Sequence, residues 1–268
     1  MQHFREHFSG SFPVQIVSGP SCGITRTSQS LIGDILPFRA FGSIRLQIAY
    51  NLNTGNTVIA DLPGNFQHSS GVESIGYVFN SAKAIWRQSV SGLAKLPNKD
   101  APDGDQAVLI EADGGEVTFT KSKGIYWEDA FGTGCRNLVF DTTTSCWILY
   151  ANNLHQQRHV YDGSGHLVAK YVDGEDETTF EWAAGRLTKI IPPGEGRSYE
   201  WRYQKNADNS EIHTVVVVTD KSEVVLRAYK FNSDGMITTI TSDDSAATAP
   251  DPNGGTFQAK MTYTKGTR

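Results

Sequence analysis

From residue 136 to residue 264 the chain keeps one rhythm: a short run of β-branched and aromatic residues, then a cluster of Gly, Asn, Asp, Ser or Pro, then another run. Such punctuation specifies strands joined by tight turns. The spacing predicts strands over 136–140, 146–150, 155–161, 166–172, 177–183, 186–191, 197–204, 211–219, 222–231, 236–241 and 256–264. The clearest breaks are Pro192-Pro193-Gly194 and the stretch from Ser242 to Gly255. No long amphipathic helix separates the runs. A parallel sheet needs such a crossover between strands, so the expected sheet is mainly antiparallel. The expected fold class is all-β, a strand-turn-strand repeat sheet with little helix.

The N-terminal part is less regular. Apolar side chains at Ile44, Leu46, Ile48 and Tyr50 fall two apart, the period of a half-buried strand. A turn at Asn51–Gly55 and a second run at Thr57–Asp61 complete a hairpin. Val14–Val17 is a further short strand, and Ser81–Leu96 is expected to hold one short helix. Pro97–Asp105 is a polar loop with two prolines and three aspartates. Beyond it, Ala107–Glu111 and Glu116–Thr120 flank Ala112-Asp113-Gly114-Gly115, and Asp-Gly between two such runs signals a hairpin. Two parts are therefore expected: an N-terminal β region with irregular segments over 1–105, and a repeat sheet over 106–268.

At 268 residues the chain is long enough to bury a core without disulfides or metals. Its net charge of −5, with lysines and arginines scattered, argues against nucleic acid as a partner. Three cysteines, Cys22, Cys135 and Cys146, make no disulfide framework. Cys135 and Cys146 can meet across a hairpin, or all three can pack as free thiols. No apolar run is long enough for a membrane span. The first twenty residues carry Arg5, Glu6 and His7 and lack the apolar stretch of a Sec-type signal. The localisation stays open: if the protein leaves the cell for the outside or the cell surface, it uses another route or belongs to a larger exported chain.

Three stretches share a plan. They are Tyr161-Asp162-Gly163-Ser164-Gly165-His166-Leu167, Trp182-Ala183-Ala184-Gly185-Arg186-Leu187, and Phe231-Asn232-Ser233-Asp234-Gly235-Met236-Ile237. Each sets an aromatic residue, a small turn, a glycine, one variable residue and a branched aliphatic. The aromatic ends one strand on the buried face, the glycine takes the positive-φ position, and the aliphatic opens the next strand. A degenerate unit is expected between the second and third, turning at Asn206–Ser210. Stacked units of this kind bury a continuous core.

Tyr161-Asp162 followed by Gly165-His166-Leu167, and Gly185-Arg186-Leu187, resemble the units of the YD-repeat, or RHS-repeat, family. Upstream, Leu36-Pro37, Tyr50-Asn51 with Thr54-Gly55, and Ala112-Asp113-Gly114 leading to Phe119 are similar to the N-terminal part of RHS proteins. The likeness covers roughly residues 36–61 and 107–241. The second unit departs from it by one residue fewer before the glycine and by Trp182-Ala183, the third by Phe231-Asn232. The resemblance implies a β ribbon curling into a shell that encloses a toxic cargo, or a surface and adhesion module. It also implies that Tyr161, Asp162, Gly165, Gly185 and Gly235 are structural turn residues.

Candidate sites compete with simple packing. Phe180 and Trp182 share one face of a strand, and Tyr199, Trp201 and Tyr203 share one face of another. Where such strands are neighbours their rings stack across them. Trp182, Tyr199, Trp201 and Tyr203, with Trp127 beside Tyr126 as a second patch, are the candidate platform for a sugar or a partner; core packing is the competing role. Gly19-Pro20-Ser21-Cys22-Gly23 matches G-x-S-x-G, but a hydrolase elbow needs a helix after it and an α/β sheet beneath. His155 and His159 lie four apart without the glutamate of a zinc helix. The acidic turns Asp100/Asp103/Asp105, Asp173/Glu175/Asp176 and Asp243/Asp244/Asp251 match no EF-hand loop.

The expectation is a non-enzymatic scaffold with no catalytic residue, metal or cofactor, serving an RHS-like toxin or cell-surface assembly. Its partner is a protein or an enclosed cargo. The alternative is a carbohydrate-binding β module that uses exposed aromatics. An esterase built on Ser21 is the third reading.

Overall fold

The computed structural model describes residues 11–17, 44–50, 57–63, 75–80, 83, 85–112, 114–128, 136–150, 157–172, 177–193, 196–242 and 257–264. Among them every regular element is a strand and no helix forms. The first ten strands are β1 (Ser11–Val17), β2 (Ile44–Tyr50), β3 (Thr57–Pro63), β4 (Ile75–Asn80), β5 (Ile85–Gln88), β6 (Gly92–Lys95), β7 (Gln106–Ile110), β8 (Glu116–Ser122), β9 (Ile125–Glu128) and β10 (Asn137–Asp141). The rest are β11 (Cys146–Tyr150), β12 (Gln157–Tyr161), β13 (Leu167–Val172), β14 (Thr178–Ala183), β15 (Arg186–Ile191), β16 (Arg197–Lys205), β17 (Glu211–Thr219), β18 (Glu223–Phe231), β19 (Ile237–Ser242) and β20 (Phe257–Thr264).

The all-β, hairpin-built class expected from the residue pattern is what forms. From β10 onward each strand falls within two residues of its expected place. The helix expected within Ser81–Leu96 does not form: Ile85–Gln88 and Gly92–Lys95 are strands instead. Ser89, Ser91 and Gly92 are weak in a helix interior, and the segment gains more from sheet pairing, with Trp86 opposite Phe79 and Leu93 opposite Leu109. The short strands β4 and β9 likewise fall outside the expected strands.

The chain divides into two compact units, residues 90–198 and residues 1–89 with 199–268. In the first, β6 to β15 form an antiparallel meander in which each strand pairs with the next. One face carries Leu109, Phe119, Tyr126, Leu138, Leu149, Tyr161 and Leu167, all fully buried. Each contributes about 1.5–3 kcal/mol relative to leaving it exposed.

Strand β6 ends this pairing order, yet it meets the turn between β12 and β13. The Leu93 amide donates to the Gly165 carbonyl at 2.9 Å, Gly92 forms a bridge with His166, and the Ser91 and Tyr161 hydroxyls lie 3.1 Å apart. The intervening meander therefore curls back on itself. This contact covers part of an edge that would otherwise offer unpaired amides and carbonyls.

In the other unit β16 to β20 follow one another in the sheet, and β1 joins β20 in parallel. The strands β2 to β5 form a separate antiparallel sheet. Tyr77 of β4 ties the two sheets of this unit together. Its ring packs edge-on against Tyr229 and Phe231, with centroids 4.8 and 5.3 Å away. Its hydroxyl lies 2.7 Å from His213 Nδ1, and His213 Nε2 lies 2.8 Å from the Glu211 carboxylate. A carboxylate only accepts, so Nε2 donates to Glu211, and in the neutral ring Nδ1 accepts from Tyr77. Among the described residues no helix is long and apolar enough to cross a membrane.

Candidate functional site

The repeat glycines all sit at hairpin turns with positive φ: Gly165 at 84°, Gly185 at 73° and Gly235 at 75°. Two of the turns are copies of each other. Asp162 N–H donates to the His166 carbonyl at 2.9 Å, Gly165 N–H donates to the Asp162 carbonyl at 3.0 Å, and Asp162 Oδ1 accepts from the amides of Ser164 and His166. Asn232, Gly235, Asp234 and Met236 repeat this arrangement with the same partners and nearly the same distances. Each turn also carries a bulge at the strand end before it, at Val160/Tyr161 and at Lys230/Phe231.

The expected degenerate unit turns at Asn206–Ser210 with the same two backbone bonds, and Asn209 takes the glycine position at φ 62°. Asparagine tolerates that region better than other side chains. Gly185 belongs to a different turn. Ala184 and Gly185 are both at positive φ between paired Ala183 and Arg186, a two-residue hairpin loop. That shorter loop explains the residue missing from the second unit. The aliphatics Leu167, Leu187 and Ile237 are fully buried in all three units. Of the aromatics, Tyr161 and Phe231 are buried and Trp182 is half-buried.

The five candidate aromatics do not make one platform. Tyr199 and Trp201 bury their rings, with 1% and 4% of their surface exposed, so a sugar has no access to them. Tyr203 is half-buried; it accepts a hydrogen bond from Gln88 at 2.7 Å and packs edge-on against His213. Trp182 donates its Nε1–H to the Leu167 carbonyl at 2.7 Å and stacks on His166, centroids 4.5 Å apart. Its cross-strand neighbour is Leu187 rather than another ring. Trp127 is 40% exposed, whereas Tyr126 beside it points to the opposite face and is fully buried.

Three polar arrangements lie in the 90–198 unit. Arg136 grips Glu128 with two hydrogen bonds, at 2.8 and 2.7 Å, and reaches Glu111 with a third at 2.6 Å. The Glu128 bonds hold the guanidinium even more firmly protonated than usual. Lys121 is buried and donates to the carbonyls of Asn98, Lys99 and Ala101. The Tyr126 hydroxyl donates to Asp105 at 2.6 Å and accepts from the Asn98 amide at 2.8 Å. Burial first, and then the Asp105 carboxylate, push the Tyr126 phenol up to about 12. The same hydrogen bond holds the Asp105 carboxyl below its usual range. Lys121 and Tyr126 together pin the Pro97–Asp105 loop.

His159 is the third. It stands between Leu149 and Lys170 on neighbouring strands, buried, with neither ring nitrogen hydrogen-bonded. Burial, followed by the charges of Lys170 and Arg136, pulls its pKa down to about 3, so the ring is neutral. His155 lies outside the described residues, as do Ser21 with its G-x-S-x-G stretch, Cys22, Cys135 and the acidic turns at 173–176 and 243–251. Among the described residues no three His, Cys, Asp or Glu side chains gather as a metal site. Cys146 is a free, half-buried thiol.

Asn137, Tyr150, Arg158 and Tyr171 carry no local motif in the sequence. They fall on four consecutive strands, and only the register brings them into line with Trp127. No protein-family model matches the chain, and no curated protein matches it.

Proposed function

We propose that this chain is a non-enzymatic hairpin-repeat scaffold, a shell or partner-binding segment of an RHS-like toxin or cell-surface assembly. One observation carries the proposal. The Asp162–His166 and Asn232–Met236 turns share their hydrogen bonds, positive-φ glycine, strand-end bulge and buried flanking aliphatic. A repeated turn with a repeated core position builds an extensible sheet, and its residues are occupied in holding the fold. The polar groups of the 90–198 unit fit that role, because Lys121, Tyr126 and Arg136 bind loop carbonyls and carboxylates of the chain itself.

The test is co-expression of the full chain with the protein encoded immediately beside it, followed by limited proteolysis. Protection of that protein by this chain, lost when the two are mixed after separate purification, supports an enclosing scaffold. Full digestion of the companion at its free rate, or turnover of ester or glycoside substrates that Ser21→Ala abolishes, overturns it.

A further inference from the structure

The face of the meander turned away from the core carries a line of directly opposed residues that crosses five strands. Trp127 on β9 pairs with Asn137 on β10, Asn137 with Tyr150 on β11, Tyr150 with Arg158 on β12, and Arg158 with Tyr171 on β13. Opposed residues of adjacent strands share a face, and no register shift falls at these positions. Trp127 and Arg158 are exposed, Tyr150 and Tyr171 are half-buried, and Asn137 is buried between its neighbours. The side chain of Glu177 hydrogen-bonds Tyr171 at the far end.

Three features of this line select a ligand. The rings occupy alternate strands, so the backbone positions that carry them stand roughly 9–10 Å apart, twice the strand spacing. That interval suits every second ring of an extended β-1,4-linked pyranose chain. Polar residues alternate with the rings: Asn137 lies between Trp127 and Tyr150, and Arg158, which only donates, lies between Tyr150 and Tyr171. The Arg158 guanidinium also lies 4.0 Å from the Tyr171 ring centroid and braces it. Last, Arg158 and Glu177 balance each other in charge, and the whole chain carries −5. A neutral polymer is complementary to such a strip, whereas a polyanion is repelled.

The geometry points to a binding strip for a neutral, extended β-1,4-linked glycan, laid across the strands from Trp127 to Tyr171. It goes beyond the scaffold role and does not depend on it. The strip replaces the platform drawn from the sequence, keeping Trp127 and exchanging the buried Tyr199 and Trp201 for Tyr150 and Tyr171.

The experiment is isothermal titration of the full chain with cellohexaose, with heparin and a soluble α-glucan as competing probes. Saturable binding of cellohexaose is expected. Trp127→Ala and Tyr171→Ala should each weaken it about tenfold, the loss of one ring stack. Trp127→Phe should retain most of the affinity, and Val225→Ala, on the other unit, should leave it unchanged. Should Tyr171→Ala fail to fold, quenching of Trp127 fluorescence by cellohexaose, read against the Trp127→Phe chain, decides instead. Absence of cellohexaose binding, affinity indifferent to both ring removals, or preference for heparin or the α-glucan overturns the assignment.

Discussion

Gly165→Ala is the sharpest probe of how the meander closes, because two other glycines serve as its controls. All three positions have φ between 73° and 84°, where an L side chain costs about 1–2 kcal/mol. A methyl at Gly185 or Gly235 would meet nothing within 4 Å. At Gly165 it would stand 2.5 Å from the Leu93 carbonyl oxygen and 3.1 Å from the Leu93 and Leu96 side chains. The obstructing atom is backbone, so the turn and β6 must separate, and the 2.9 Å Leu93–Gly165 hydrogen bond is lost or stretched. Leaving those buried backbone groups poorly paired adds about 1–3 kcal/mol. The expected cost is about 1–2 kcal/mol for Gly185→Ala and Gly235→Ala and about 2–5 kcal/mol for Gly165→Ala. Urea unfolding followed by tryptophan fluorescence measures each, and Gly185→Ala is the stricter control because it lies in the same unit. Hydrogen exchange should also show the Leu93 amide losing protection in Gly165→Ala alone. If the three variants cost the same, the turn does not brace β6 and the curl has another cause.

His159 gives a pH prediction. Its folded pKa of about 3 lies below the unfolded value near 6.5, so the unfolded chain binds the proton first and stability falls as pH drops through that window. The loss is about 1.4 kcal/mol per pH unit, or about 2 kcal/mol between pH 7 and pH 5, and His159→Leu should remove it from urea titrations run at both pH values. Lys121→Met should remove one donor from each of three carbonyls and release the Pro97–Asp105 loop, read as faster proteolysis within that loop at an almost unchanged far-UV spectrum. Arg136→Met should leave the Glu128 and Glu111 carboxylates without their shared cation, costing about 1–3 kcal/mol near neutral pH because Glu111 and Arg136 are partly exposed, with part of the loss recovered in Arg136→Met/Glu111→Gln.

Much of the fold was legible because its information is local. The alternation of Ile44 to Tyr50, and the turn clusters after Tyr161, Lys205 and Phe231, are complete within a few residues. The structure returns them as strands and turns at those places. The segment 85–95 failed for the opposite reason. Ile85, Trp86, Val90 and Leu93 have no clean period, and only partners on β4 and β7 decide their state. The candidate platform failed on faces. Tyr199 and Trp201 do share a face of β16, but it is the buried one, and period alone does not say which face meets solvent. Tyr150, Arg158 and Tyr171 carried no signal in sequence, since their alignment is a property of register.

The paired turns show where local information ends. Asp162–His166 and Asn232–Met236 have the same hydrogen bonds, bulge and glycine conformation, so the motif fixes the turn in both. Yet a methyl at Gly165 would strike β6, while one at Gly235 would meet open space. What separates them is Gly92. Its own added Cβ would come within 3.3 Å of the Gly165 carbonyl, so the two backbones approach this closely because both positions lack a side chain. Gly165 therefore answers to two demands, the positive φ of its turn and the nearness of a strand some seventy residues earlier. The first is written in the repeat; the second is written only in Ser91-Gly92-Leu93, which belongs to no repeat. The hairpins follow from the motif, and the close approach of β6 to the Gly165 turn needs a second glycine that lies outside it.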